Sequence, residues 1–212
     1  MALNDSILET AILSVFNNMS EMRTGGDAYC AQNLASAIKT YLLTAEASTI
    51  DTGTVTQTSV YSGNGTGVPG CFVIDNSSLE SDLKEVFENQ ETTDDEIADG
   101  IANAVHSACT QSGIISIVTE GVLTPPSLAT PIDPYYGTGK ATFTGNKTTI
   151  SKKLKGYGTT KGTFEKMSKM TSGGDALFAK DLASAIGDYI RNGSISVVLD
   201  LPITGSGSGS IS

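Results

Sequence analysis

The amino-acid sequence predicts an α+β fold: three tandem helical-hairpin-plus-strand units with small sheets, joined by Gly/Pro/Thr-rich loops. Three observations carry that prediction. The stretch Met19–Tyr41 returns almost intact as Met167–Tyr189, with Met, Ser, Met, a Gly-Gly-Asp-Ala turn and a Leu-Ala-Ser-Ala-Ile core at matching places, as an internal duplication would leave them. Apolar residues fall three, four and seven apart in several stretches, the signature of amphipathic helices. Between those stretches the period drops to two among β-forming residues. The units are drawn at 1–70, 71–136 (divergent) and 137–212, the last ending in a Gly/Ser-rich tail.

In the first unit, Leu3, Ile7, Leu8, Ile12, Val15, Phe16 and Met19 mark one helix face, capped by Asn4, Asp5 or Ser6. Thr24-Gly25-Gly26 ends that helix, and Asp27 stands where the N-cap of the next one belongs. The second helix buries Cys30, Ala31, Leu34, Ala35, Ile38, Tyr41 and Leu42. From Ile50 through Thr52, Thr54, Thr56 and Thr58 to Val60 the spacing predicts one strand with a polar face, and Ser62–Gly70 reads as a loop.

Cys71–Ile74 reads as a short strand. A weaker copy follows: a helix on Leu79, Leu83, Val86 and Phe87, then one capped within Thr92–Asp95 and buried on Ala98, Ile101, Ala102, Ala104 and Val105. Ile114–Val118 is a strand, and Thr124–Pro134 a Pro-rich connection. Gly137-Thr138-Gly139 then matches Gly65-Thr66-Gly67, with Ala141–Thr144 in the place of Cys71–Ile74. In the third unit Ile150, Leu154, Phe164, Met167 and Met170 give a first helix interrupted at Gly156, Gly158 and Gly162. Gly173 and Gly174 form its turn, Asp175–Arg191 its second helix, Ile195–Leu199 its strand.

Charge and composition exclude several functions. A net charge of −10 lacks the basic stripe that nucleic acid or an anionic membrane surface requires. No apolar run approaches the ~20 residues of a membrane span, and Met-Ala-Leu-Asn-Asp-Ser does not read as a signal peptide. Cys30, Cys71 and Cys109 lack metal or redox spacing, which suits free thiols in a chain made in a reducing cytoplasm.

The motifs resolve into structure. Gly65–Gly70 matches G-x-G-x-x-G, but Pro69 intrudes and a strand, not a helix, follows. Gly139-Lys140 lacks the Ser or Thr and the first glycine of a phosphate-binding loop. His106, the single histidine, reads as a surface or packing residue. Asp94, Asp95, Glu96 and Asp99 suit a helix N-terminus and lack the EF-hand pattern. Gly25-Gly26-Asp27 and Gly173-Gly174-Asp175 read as turn glycines followed by N-caps. Asn64, Asn76 and Asn146 head formal glycosylation triplets, which carry meaning only in a secreted chain. No catalytic residue, cofactor site or metal site is assigned, and no enzymatic activity is expected.

The G-G-D-A-x-x-A-x-x-L-A-S-A-I helix, the Thr/Val-rich strand and the Gly-Thr/Ser-Gly loop together resemble small virion proteins of tailed bacteriophages. The resemblance implies a structural role at the head surface, neck or tail, located in the virion after synthesis in the host cytoplasm. The implied partners are other virion proteins and copies of the same chain, with no nucleic acid, membrane or small-molecule substrate. Contacts are expected through helix faces, strand edges and the tail, on Ile195, Val197, Leu199, Thr204, Gly205, Gly207 and Ile211. Two other readings compete: a non-viral scaffold or surface binding module without catalytic activity, and an enzyme with an acidic metal site at Asp94–Asp99.

Overall fold

Helix α1 (Asp5–Ser20) starts where the Asn4 side chain accepts a hydrogen bond from the Ser6 N–H, at 3.1 Å. The computed structural model describes residues 3–22, 24–55, 59–89, 93–111, 113–126, 131–200 and 202–212. After α1 come α2 (Gly26–Leu42), the strands β1 (Ala47–Val55), β2 (Ser59–Gly67) and β3 (Phe72–Val73), then α3 (Asn76–Glu88) and α4 (Asp94–Thr110). Strands β4 (Ile114–Thr124) and β5 (Ile132–Thr144) follow, then α5 (Thr148–Lys155), the two-residue strands β6 (Gly156–Tyr157) and β7 (Thr160–Lys161), and α6 (Thr163–Met167). The chain ends with α7 (Gly174–Arg191), β8 (Ser194–Leu199) and β9 (Ile203–Ile211).

The mixed helix-and-strand class is as expected, but the separate small sheets are not. Six strands run β2-β1-β9-β8-β5-β4, and β4 pairs back onto β2, closing one antiparallel barrel with β3 appended beside β4. The reason is the edge problem: a two-stranded hairpin leaves unpaired N–H and C=O groups on both sides, and three hairpins joined in a circle leave none. The single strand expected from Ile50 to Val60 is instead a hairpin, β1 with β2. Its expected members Thr56 and Thr58 lie outside the described residues, as do Met1, Ala2, Thr92 and the middle of the Pro-rich connection. The Gly-x-Gly segments expected as loops are strands β2, β5 and β9.

The ladder explains how glycine serves here. Lumen-facing positions alternate along every strand, and on the second strand of each hairpin they are mainly glycine: Gly63, Gly65 and Gly67 on β2, Gly137 and Gly139 on β5, Gly205, Gly207 and Gly209 on β9. Side chains from the first strands, among them Ile117, Thr119, Val197 and Leu199, fill the space those glycines leave. The ladder matches Gly63 with Gly137 and Gly205, two residues off the Gly65–Gly137 match expected from sequence.

Six helices pack in a closed ring, α1-α2-α3-α4-α5-α7 and back to α1. The short connections from α2 to β1, α4 to β4 and α7 to β8 set that ring at the barrel end where those strands begin. Leu8, Ile12, Leu34, Ile38, Ile101 and Ile186 are buried within it, joining the lumen residues in one continuous core. The interruption expected around Gly156–Gly162 is the small β6–β7 hairpin.

Candidate functional site

The residues expected to bind partners lie mostly inside the barrel. Ile195, Val197 and Leu199 on β8 and Ile211 on β9 are buried, and Gly205 and Gly207 occupy inward positions of β9; only Thr204 is exposed. Strand β8 lies between β5 and β9, and β9 between β8 and β1, so neither offers the free edge expected of it. The stretch expected as a tail closes the barrel. At the two repeated turns, the N-caps are Gly25 and Gly173, in the left-handed region at φ 75° and 79°, where a side chain would be strained. Gly26 and Gly174 open the helices. Asp27 and Asp175 stand in the first helical turn instead of at the cap, where their charge favours the helix N-terminus.

The outer face of the barrel carries a recurrent feature that sequence reasoning missed. Ile50 faces Asn64 within its hairpin and Ser208 across to the neighbouring one. Val118 faces Thr138 and Thr66, and Val198 faces Ser206 and Lys140. The three therefore hold the same place in the three hairpins. They are 70%, 55% and 68% exposed, set among polar neighbours of which Ser208, Thr138, Thr66 and Ser206 bear hydroxyls. The alternation placed Ile50, Thr52 and Thr54 on one face of the strand without fixing that face as the outer one, and Val198 was hidden within the apolar run Val197-Val198-Leu199.

One inward position breaks the apolar character of the lumen. Asp51 on β1 is fully buried, and neither carboxylate oxygen has a hydrogen-bond partner among the protein groups. Thr49, two residues earlier on the same face, is also buried with its hydroxyl unpartnered. Nearby, the Tyr61 hydroxyl and Thr119 Oγ1 share a 2.7 Å hydrogen bond. Burial, with the charges of Asp51 and Glu120 adding to it against the Thr119 hydrogen bond, pushes the Tyr61 phenol above its ordinary value.

The groups that usually serve catalysis are held in packing roles. His106 Nδ1 lies 2.8 Å from the Tyr189 hydroxyl, and burial together with the Lys147 charge lowers its pKa. Burial pushes the thiols of Cys30, aided by the Asp27 charge, and Cys109 up to about 12, which leaves them protonated and weakly nucleophilic at neutral pH. In the acidic cluster, Glu96 completes a capping box with Thr93, and Asp99 pairs with Lys155 at 2.7 Å. Among the described residues, no three His, Cys, Asp or Glu side chains gather as a metal site. At the end of the helix ring away from the barrel, Phe16, Phe87, Phe164 and Phe178 line an apolar pocket of about 170 Å³, with Phe178 edge-on to Phe16 and stacked on Phe164. Compared with known proteins, the chain matches no family model, no curated sequence and no solved structure.

Proposed function

We propose that this chain is a structural, non-enzymatic component of a bacteriophage virion that docks onto another virion protein through the outer face of its barrel. The observation that carries the reading is the threefold recurrence of an exposed aliphatic side chain, Ile50, Val118 and Val198, at one place in three hairpins. Apolar side chains held outward on a rigid barrel, ringed by polar residues, most of them Ser and Thr, form small desolvatable anchors with a polar rim, the composition of a protein–protein contact. With a net charge of −10, copies of the chain repel one another, so the first partner in this reading is a less acidic virion protein. The recurring order of helix, helix, strand, strand, taken with the duplicated Met19–Tyr41 stretch, is read as three copies of one ancestral unit set around a pseudo-threefold axis. Such a body presents similar contacts in three directions, which suits a site where several copies of a partner converge.

The test is density-gradient sedimentation of a lysate from the source, with mass spectrometry across the fractions. The expected result is a peak with intact particles at a fixed ratio to capsid protein. Replacing Ile50, Val118 and Val198 together by Asp is expected to move the protein to the top of the gradient while its circular dichroism stays unchanged. Wild-type protein found only at the top of the gradient would overturn the virion reading. Retention of the triple variant on particles would remove the barrel face from it.

A further inference from the structure

The buried carboxylate of Asp51 is not explained by the packing around it. An ionised carboxylate inside a protein requires a paired charge or hydrogen-bond donors. The lumen side chains nearest it in the ladder are Thr49, Tyr61, Ile117, Thr119, Val197 and Leu199, none of them basic. Two oxygens converge: a Cβ on Gly65 would meet both Thr49 Oγ1 and Asp51 Oδ2, and Thr119, hydrogen-bonded to Tyr61, pairs with Gly65 across β2 and β4. The corresponding positions of the other hairpins are filled differently. Asp51 is matched by Thr119 and Leu199, and Thr49 by Ile117 and Val197. The polar wall therefore belongs to one side of the lumen, and among the described residues its unpartnered oxygens are those of Thr49 and Asp51 on β1.

We propose that the barrel lumen binds one monovalent alkali cation, held by the Asp51 carboxylate and the Thr49 hydroxyl, with the Tyr61–Thr119 hydroxyl pair completing the polar wall around it. The donors are all hard oxygens, which select alkali and alkaline-earth ions over transition metals. Charge decides between those two classes: one carboxylate neutralises one monovalent ion, whereas a divalent ion would leave a positive charge buried without a counter-charge. The glycines of β2 and β9 let these oxygens seat in the lumen, since a side chain on Gly65 or Gly207 would collide with the Asp51 carboxylate and, at Gly65, with the Thr49 hydroxyl as well. The cation joins β1 to the strands on either side of it and so contributes to closing the barrel.

An ion that binds only the folded chain raises its stability by mass action. The test compares thermal unfolding of the full chain in sodium chloride and in N-methylglucamine chloride at equal ionic strength, so that general screening cancels. Sodium at about a hundred times its dissociation constant is expected to raise the midpoint by roughly 5–10 °C. Asp51→Asn abolishes the difference, and Thr49→Val, which keeps the shape of the side chain, reduces it. Equal midpoints for the wild type in the two salts overturn the proposal and leave water or a proton as the group that satisfies the carboxylate. A response to calcium chloride without one to sodium overturns the monovalent assignment. A sodium response of the same size in Thr49→Val and Asp51→Asn removes the ion from the lumen.

Discussion

Asp5 shows how much a single side chain joins in this protein. Its carboxylate accepts hydrogen bonds from Arg191 Nη1 and Nη2, each at 2.8 Å, and from the Tyr41 hydroxyl at 2.7 Å, so that α1, α2 and α7 meet on one group. Burial by itself would raise the Asp5 pKa, but the hydrogen bonds from Arg191 and Tyr41 and the Arg191 charge outweigh it and hold the carboxyl below its ordinary value. A depressed folded-state value means the contribution is present above the ordinary carboxylate range, near pH 4, and is lost as the pH falls through the folded value. The side chains of Arg191 and Asp5 are 36% and 30% exposed, so solvent screens the pair, and Asp5→Asn is expected to cost about 1 kcal/mol at neutral pH. Urea unfolding of both proteins from pH 7 to pH 3 checks this: the two stability curves should converge in acid, and a constant gap would refute the assignment. The start of α1 was legible in the sequence, because Asn, Asp and Ser before an apolar 3.6-residue period constitute a local cap signal. The link from Asp5 to Arg191 was not, because nothing local relates residues at opposite ends of the chain.

Among the elements, the helices were read nearly to their ends and the second strands of the hairpins were not. The buried face expected for α2, from Cys30 to Leu42, is the observed one, since a 3.6-residue apolar period is written in the helix itself. In sequence, strand β9, Ile203–Ile211, reads as a tail because alternating glycine and serine carry little strand propensity and few apolar groups. Its period of two was nevertheless present, with Gly205, Gly207 and Gly209 on one face and Ser206, Ser208 and Ser210 on the other. Here glycine answers to its neighbours across the ladder. A Cβ at Gly205 would run into the carbonyl of Thr52 and the Cα of Gly53 on β1, backbone atoms that cannot rotate away. Gly205→Ala is therefore expected to destabilise the protein by roughly 1–3 kcal/mol through overpacking, while Ser206→Ala on the exposed face stays within about 0.5 kcal/mol. Urea midpoints for the two variants decide the matter; equal midpoints would mean that β9 is a loosely held strand. The aspartate of the candidate cation site was overlooked for a related reason: Asp51 sits at the inward parity of β1, a parity that becomes readable only once Ile50, Thr52 and Thr54 are known to face outward.

At the scale of the whole molecule, the barrel and the helix ring are both closed, and closure makes the chain order partly dispensable. Hairpins β1–β2, β4–β5 and β8–β9 follow one another around the barrel with matching register. Each junction from a second strand back into the helix ring is short: 68–75 after β2, broken by β3, and 145–147 after β5. The chain ends stand at the third such junction. The backbone of Ser212 exchanges hydrogen bonds with that of Glu46 at 2.9 and 3.0 Å, just before β1, and Asp5 is held by Arg191 at the end of α7, just before β8. Ser212 beside Glu46 and Asp5 beside Tyr41 thus both lie near the end of α2, where the barrel meets the helices. A circular permutant that links Ser212 to Leu3 through about six Gly and Ser residues, and opens between Gly145 and Asn146, should retain every strand pair and every helix contact. Only the order of contacts in time changes, since loop closure depends weakly on length and the three hairpins are locally formed. The expected outcome is a far-ultraviolet circular dichroism spectrum identical to that of the parent and a single cooperative unfolding transition. Loss of cooperativity would show that the junction between β5 and α5 is needed to assemble the barrel, and that the matching register of the three hairpins does not make their junctions interchangeable.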